Sequence, residues 1–321
     1  MKKIIALLLT LVTVIGVLAS CSLFNPDDTP DVDNTVVRIG VLNGPTGMGM
    51  AKLIADNNAA ENKAYEIKSY ASPDMAIPYL AKGELDMLCL PTNVAAKQAK
   101  KLDVSVAAIN CLGSLYLMTD DSTEVKTLSD LDGQTVYTSV ATSTTKPILE
   151  HLFEAAKVDV KIEVVADHDA LVAKVVSNQV TYAVLPEPKA SAALAKNNKF
   201  AIDLNISEEW DKLFDEPLTM GCIVVKNSFL AEHKSVVDSF LNDYKASIEY
   251  INDENNLEAA AKMIFDAGII PAEPMAKKAL KNLYGSIVYI DATSMQNALE
   301  AFYTAIGDAL PSDDFYYASE N

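Results

Sequence analysis

The chain has 321 residues, of which half are hydrophobic, and it carries a formal net charge of −18 at pH 7. Loss of Lys2 and Lys3 with a leader takes that charge to −20, and so acidic a surface repels nucleic acid and anionic lipid head groups, which excludes nucleic acid as a partner. Net charge does not exclude a small anionic ligand, because a few local N–H groups outweigh a distant, screened surface charge.

The first twenty residues have the pattern of a secretory signal peptide. Two lysines precede an apolar run over residues 4–18, which is too short to span a bilayer as a helix. The sequence Leu-Ala-Ser then leads directly into Cys21, which resembles the lipobox of bacterial lipoproteins, whose cysteine is acylated. We therefore expect residues 1–20 to be removed and Cys21 to carry a lipid anchor. The alternative is an ordinary export signal followed by an unrelated cysteine.

Residues 21–35 are predicted to be the lipidated cysteine and a flexible tether. They contain three short runs rich in Asp, Asn and Pro and almost nothing apolar, so we expect them to stay extended and solvated. The folded body is expected to begin at Val36. Its 286 residues exceed what one hydrophobic core usually serves, which predicts two lobes.

The body opens with alternating apolar strands and helices. The strands are continuous apolar runs without period-two alternation, which indicates parallel sheets covered by helices on both faces. The elements predicted before residue 120 are strands at 36–42, 65–70 and 85–90 and helices at 46–56, 73–82 and 92–102.

A second series of the same kind follows residue 120. Its predicted strands are 136–140, 160–166, 182–185 and 200–204, and its predicted helices are 143–156, 167–177 and 187–196. After residue 219 the sequence predicts one strand at 221–226 and then only helices, at 235–252, 257–267, 276–283 and 294–310.

The inventory of elements predicts two doubly wound α/β lobes. Because the last helices have no strands of their own, we expect them to cover the first lobe, with the strand around Cys222 joining its sheet. The first lobe is then 36–119 together with 220–321, and the second is 120–219. Two crossings between lobes form a hinge and an interlobe cleft, an arrangement suited to closing on a ligand.

Ligand contacts are expected where strands end and helices begin, because free N–H groups and positive helix dipole ends meet there. Three turns are rich in glycine, hydroxyl or amide groups, and a fourth carries a carboxylate. For each, the alternative is an ordinary capped turn. The candidate ligand-binding residues are Asn43, Gly44, Thr46, Gly47, Met48, Thr92, Asn93, Ser139, Thr142, Ser143, Thr144 and Glu187.

The charged and aromatic residues narrow the ligand. The one arginine, Arg38, enters the first strand at the edge opposite the expected cleft, so recognition of an anion by a guanidinium is not expected. Backbone N–H and hydroxyl groups would hold an anion, with Lys146 as an additional candidate for contact with it. Tyr70, Tyr116 and Trp210 are candidates for stacking on a ligand ring, with packing in the core as the alternative.

Cysteines and histidines give no sign of a metal or a cofactor. Once Cys21 is assigned to lipid, Cys89, Cys111 and Cys222 remain, each in an apolar strand-like run, which favours small buried side chains over a disulfide framework. The three histidines are scattered without a second ligand at chelating distance. We therefore expect no cofactor.

Four segments together resemble a known family. They are the lipobox, the turn 43–47 after Arg-Ile-Gly, the run LSDLDGQTV at 128–136 and the run AVLPEP at 183–188. Their order and spacing over 36–303 resemble the nitrate/sulfonate/taurine/thiamine-precursor (NMT1/THI5-like) group of ABC-importer solute-binding proteins. The resemblance implies a type II periplasmic-binding fold, whose cleft segments fall on the candidate residues given above.

The resemblance also implies a function. The expected protein is a monomeric lipoprotein on the outer side of the bacterial cell membrane. It would capture a small polar or anionic organic molecule, sulfonate-like or pyrimidine-like as in thiamine precursors, and deliver it to an ABC permease with its ATPase.

Two questions stay open at this stage. Glu187 either satisfies a helix N-terminus or accepts hydrogen bonds from a ligand amine or amide, and the second role favours a ligand that carries donors. The alternatives to a binding protein are an enzyme and a tethered ligand sensor on the same fold. An enzyme needs an activated nucleophile or an acid/base pair, and no order of residues in the sequence indicates one.

Overall fold

Two mixed β-sheets organise the folded body. The computed structural model describes residues 33–139 and 144–318, and residues from Thr35 onward form one compact unit. The predicted signal peptide, Cys21, most of the tether, and the candidate site residues Thr142 and Ser143 lie outside the described residues.

The first sheet has six strands, which are, in spatial order, β11 (Ile287–Ile290), β4 (Val104–Leu112), β10 (Thr219–Lys226), β3 (Met87–Pro91), β1 (Val37–Leu42) and β2 (Tyr65–Tyr70). β1 pairs in parallel with β2 and β3, as continuous apolar runs predict. β10 runs antiparallel to both β3 and β4, and β11 runs antiparallel to β4. The sheet is therefore mixed, whereas the sequence predicted a parallel one.

The second sheet has five strands, which are, in spatial order, β7 (Lys161–Val165), β6 (Thr135–Ser139), β8 (Tyr182–Pro186), β5 (Leu115–Asp120) and β9 (Phe200–Asn205). β6 pairs in parallel with β7 and β8, while β5 is antiparallel to both β8 and β9. Each sheet with its helices forms one lobe, which confirms the predicted α/β class and its two sheets.

Helices cover the sheets and begin where local sequence favours it. Pro73 opens one helix at its first turn, and the Asp167 carboxylate caps another by accepting the Ala170 N–H at 2.7 Å. No helix in the described part of the chain has the length and apolar character needed to cross a membrane. The α-helices are α1 (Pro45–Met48), α2 (Ala51–Ala59), α3 (Pro73–Ala81), α4 (Thr92–Leu102), α5 (Thr145–Ala156), α6 (His168–Val176), α7 (Lys189–Lys196), α8 (Ile206–Asp211), α9 (Asn227–Glu232), α10 (Lys234–Asn252), α11 (Leu257–Asp266), α12 (Glu273–Asn282) and α13 (Ala292–Ala305).

The first crossing between lobes lies earlier than the predicted boundary at residue 120. β4 ends at Leu112 in the first sheet, and β5 begins at Leu115 in the second sheet, so only Gly113 and Ser114 connect them. The chain returns to the first sheet at Thr219, where β10 begins. The reason for the difference is that 104–120 is an almost unbroken apolar run, which holds two strands of different sheets.

Hydrophobic packing is continuous across the crossings. One cluster of buried side chains includes Leu90 of the first lobe and Leu117 of the second, and a separate cluster packs the other face of the first sheet. Trp210 joins the shared cluster: its ring centroid lies 4.3 Å from that of Phe214 and 6.5 Å from that of Phe302. The lobes are therefore joined by apolar contacts as well as by the chain.

Candidate functional site

The carboxyl edges of the two sheets meet at the first crossing. In the first sheet, β1, β3 and β4 end at one edge, and antiparallel β10 begins there, since Thr219 pairs with Leu112. In the second sheet, β6 and β8 end at the edge where β5 begins, since Leu115 pairs with Pro186. With two residues between Leu112 and Leu115, polar groups of both edges lie around the same crossing, and this region is the candidate site.

The predicted turn after β1 lies at this edge. Asn43 is exposed and its N–H donates to the carbonyl oxygen of Tyr70 at 2.9 Å, while Gly44 has φ 95°. Thr46 is half-buried. A Cβ at Gly221 would lie 3.0 Å from Thr46 Oγ1 and 2.6 Å from Asn110 Oδ1, so the glycine lets these two polar groups approach the same strand.

Gly47 and Met48, both predicted to contact ligand, are buried in the structure. A Cβ at Gly47 would lie 2.1 Å from the carbonyl oxygen of Leu42. Only glycine fits here, because the backbone of residue 47 passes so close to the backbone of residue 42. The Met48 side chain is fully buried in the apolar cluster behind the first sheet. Helical geometry explains both, because a four-residue helix that offers Thr46 to the edge turns the next positions toward the core.

The predicted pair after β3 is buried at the same edge. Thr92 and Asn93 are 0% and 1% exposed. The Thr92 hydroxyl donates to the Thr219 carbonyl oxygen at 3.3 Å, and the Tyr303 hydroxyl donates to the Thr92 carbonyl oxygen at 3.0 Å. Thr92 therefore ties β3 to β10, and its role as a ligand contact stays a prediction.

Asn110 also lies at the candidate site, although it was not predicted there from the sequence. It sits at a bulge of β4, where the pairing with β10 shifts register between Cys111 and Ile109. Its side-chain Nδ2 donates to Cys89 Sγ at 3.4 Å, which turns Oδ1 toward the Thr46 side, and that oxygen is buried without a hydrogen-bond partner among the described residues. The available signal was a lone amide near the carboxyl end of an apolar run.

The second lobe contributes a hydroxyl paired with an imidazole. Ser139, at the end of β6, is 2% exposed, and its Oγ lies 2.5 Å from His168 Nδ1. Burial, followed by the nearby Lys189 charge, lowers the pKa of His168, so the ring is neutral at pH 7 and can act as a base. Thr144 is buried at the start of α5. The pair spans 29 positions, and the sequence analysis did not detect it.

Glu187 is buried, with 2% of its surface exposed. Its Oε1 accepts hydrogen bonds from Ser191 Oγ at 2.8 Å and from Asn282 Nδ2 at 2.5 Å, and its Oε2 accepts from the Ser191 N–H at 3.3 Å. The carboxylate thus caps α7, one of the two roles considered from sequence. It also bonds to the first lobe through Asn282.

The three candidate stacking rings have partners within the protein. Tyr70 packs on Tyr79 with ring centroids 5.5 Å apart, and the Tyr116 hydroxyl donates to the Asn282 carbonyl oxygen at 2.5 Å. Trp210 is 2% exposed, and its indole N–H donates to the Glu216 carbonyl oxygen at 2.9 Å. The geometry of Trp210 favours the packing alternative, because the ring is buried beside Phe214 and Phe302 and its N–H is bonded internally.

The basic side chains considered for the site are paired elsewhere. Arg38 forms two hydrogen bonds with the Asp86 carboxylate at the far edge of the first sheet. Lys146 pairs with Glu150 on the surface of α5 at 2.9 Å. Apart from the Glu187 carboxylate, the candidate residues described at these edges are neutral hydroxyl and amide groups, which bind by hydrogen bonding.

The cysteines are core residues, as predicted. Cys89, Cys111 and Cys222 are 0%, 1% and 0% exposed, and burial raises the pKa of the Cys89 and Cys111 thiols to about 12. Over residues 33–139 and 144–318, no group of three or more His, Cys, Asp or Glu side chains is placed to hold a metal ion.

Two α/β lobes with facing carboxyl edges and a strand order of β2-β1-β3-β10-β4 define the periplasmic-binding fold, as predicted. The chain belongs to the family described as menaquinone biosynthesis, whose model matches residues 54–307. That family is NMT1/THI5-like, so the resemblance found in the sequence is confirmed. A comparison with curated proteins finds no match.

Solved structures share the fold at low sequence identity. An ABC transporter protein from Parabacteroides distasonis is 21% identical with a TM-score of 0.73, over 89% of this chain and all of that one. The periplasmic aliphatic sulphonate-binding protein SsuA of Escherichia coli is 14% identical with a TM-score of 0.68, over 88% and 92%. The periplasmic nitrate-binding protein NrtA of Synechocystis PCC 6803 is 11% identical with a TM-score of 0.59, over 84% and 80%.

We predict that Gly47→Ala destabilises the protein by about 2–3 kcal/mol, because the new Cβ meets a backbone oxygen that cannot move without shifting β1. This outcome differs from the loss of binding with an intact fold that a ligand-facing glycine would give. Urea unfolding measures it. Gly133→Ala is the control, since no atom lies within 4 Å of its Cβ and only the strain of its positive φ, about 1 kcal/mol, opposes the substitution. Equal stability of the two variants would contradict the prediction.

We predict that His168 makes the protein less stable as the pH falls from 7 to 5. Its folded pKa lies below the unfolded value of about 6.5, so the unfolded chain binds the proton first, and stability is lost as the pH falls below that value. His168→Asn cannot titrate and should flatten the plot of unfolding free energy against pH in this window. The difference in unfolding free energy between the native protein and His168→Asn at pH 8 serves as the baseline. Parallel plots for the two proteins would refute the prediction.

Proposed function

We propose that this chain is an extracytoplasmic solute-binding lipoprotein of an ABC importer, which closes two lobes on a small polar organic molecule and delivers it to a permease. The observation that carries the proposal is the meeting of two polar sheet edges at one short crossing, with Thr46, Thr92 and Asn110 on one side and Ser139 on the other. The named relatives, a sulphonate-binding and a nitrate-binding protein, support it through their shared fold.

Neutral recognition of the ligand is part of the proposal. Hydroxyl and amide groups can hold a sulfonate-like group through several modest hydrogen bonds, and they can equally hold a pyrimidine-like ring. The Glu187 carboxylate near the same edge disfavours a bare, strongly charged anion. The proposed ligand is therefore a small organic molecule that carries N–H or O–H donors, with or without a sulfonate.

The ligand is tested by thermal unfolding against sulfonates, carboxylates, thiamine precursors, other heterocycles and short peptides. A ligand at a hundredfold its dissociation constant stabilises the folded protein by about 2.7 kcal/mol, which raises the midpoint by several degrees. Thr46→Val should reduce the shift, whereas Thr304→Val, on the exposed face of α13, should not. If no compound raises the unfolding midpoint of a folded, ligand-free protein, the result would argue against the proposal and favour a tethered sensor.

The lipid anchor is tested in cells that express the full chain. The proposal expects the protein in the membrane fraction, labelled by a palmitate analogue at Cys21. Cys21→Ser should abolish the label, because acylation requires the cysteine thiol. A label of equal strength in Cys21→Ser, or none in the native chain, would exclude Cys21 as the acylated residue.

An enzyme is the second candidate, and two observations favour it. The family is described by a biosynthetic role, and Ser139 with neutral His168 is a hydroxyl beside a base. Incubating the protein with each hit of the panel and analysing the mixture by mass spectrometry separates the two candidates. An unchanged ligand supports binding, whereas a product that disappears in His168→Asn supports catalysis.

A further inference from the structure

Asn282 links the two lobes where α12 packs against α7. It is the last residue of α12 in the first lobe, and its side-chain Nδ2 donates to Glu187 Oε1 at 2.5 Å and lies 3.4 Å from Ser191 Oγ. Its main-chain carbonyl oxygen accepts from the Tyr116 hydroxyl at 2.5 Å. The second lobe therefore holds both the side chain and the backbone of one first-lobe residue.

The Glu187 carboxylate depends on these contacts. It is 2% exposed and forms no ion pair within the described residues, so neutral donors must replace the water it has lost. Burial and the charge of Glu187 raise the pKa of Tyr116, which keeps that hydroxyl protonated as a donor. A slight separation that withdrew Asn282 without admitting water would leave the carboxylate short of a donor. Fully closed and fully open arrangements are thus favoured over intermediate ones.

The acceptor is fixed in position before the lobes meet. Ser191 donates to Glu187 through both its N–H, at 3.3 Å, and its hydroxyl, at 2.8 Å, and these bonds lie within the second lobe. Because the carboxylate is already oriented at the N-terminus of α7, the contact with Asn282 orders only one further side chain.

We propose that Asn282, Glu187, Ser191 and Tyr116 form a clasp that holds the two lobes closed in the ligand-free protein. Where the proposed binding function holds, the clasp also sets how long a ligand stays in the cleft, because opening must break the bond between Asn282 and Glu187. Asn282 then acts as a positioning residue, and Glu187, predicted from sequence as a ligand contact, serves mainly to close the cleft.

The distance between the lobes in purified, ligand-free protein tests the clasp. Met75→Cys and Ala166→Cys provide exposed labelling sites just beyond the cleft-side ends of β2 and β7. The native cysteines of the described body are buried, so a fluorophore pair reports on the introduced positions. Single-molecule energy transfer then gives the closed and open populations. We expect one dominant closed population before any further substitution.

Three substitutions change the clasp and one does not. Asn282→Asp faces Glu187 with a second carboxylate and should shift most molecules to the open distance; Asn282→Ala removes the donor and should shift the balance about tenfold. Combining Asn282→Asp with Glu187→Gln restores an amide–carboxylate bond with reversed polarity and should restore closure. Lys281→Ala, on the exposed neighbour, should leave the distances unchanged.

The outcomes decide the proposal without reference to a ligand. Opening in Asn282→Asp and Asn282→Ala, with closure regained in the reversed pair and unchanged circular dichroism, supports the clasp. Unchanged distances in Asn282→Ala, or a reversed pair that stays open while folded, overturns it. If the panel yields a ligand, its dissociation from Asn282→Ala should be about tenfold faster at an unchanged association rate. If no compound in the panel binds but the distance measurements support the clasp, only the proposed function is contradicted.

Discussion

The two-residue link between β4 and β5 is the constraint on which the arrangement of the molecule depends. Because Gly113 and Ser114 span the whole distance from one sheet to the other, the carboxyl edges of both sheets are brought against the same short segment. The link is also bonded to the second lobe, since the Glu187 N–H donates to the Ser114 carbonyl oxygen at 3.0 Å. The end of β8 is therefore anchored to the crossing, and the polar groups around it follow.

Apolar and polar contacts between the lobes have different consequences for motion. Around Trp210 and Phe302 the lobes share a continuous apolar cluster. Hydrophobic contacts are not directional, so the cluster can stay packed when one lobe rotates slightly against the other. The contact of Asn282 with Glu187 is directional and is lost within about 1 Å of separation. A small rotation between the lobes can therefore break this hydrogen bond while the apolar cluster stays packed.

Most of the strands and helices could be predicted from the sequence, since continuous apolar runs and capped turns are local signals, but β4, β5 and β11 were not predicted. The direction of β10 and the split of 104–120 between two sheets could not be predicted, because antiparallel pairing is decided by partners far along the chain. The same limit applies to the site. The turn containing Thr46 was recognisable locally, whereas the environment of Glu187 depends on Asn282, which lies 95 positions away. The burial of Met48 was not predicted, because tertiary contacts decide which side of a four-residue helix faces the core.

The burial of Cys89, Cys111 and Cys222 also bears on how the chain withstands an oxidising environment. Their sulfur atoms are sealed within β3, β4 and β10, the three adjacent central strands of the first sheet, and the raised pKa values of Cys89 and Cys111 leave almost no thiolate at neutral pH. Oxidants act on thiolate, so these residues are protected for as long as the central strands stay paired. Oxidation of these thiols would therefore show that those strands had separated. The modification would remain detectable after the protein had refolded.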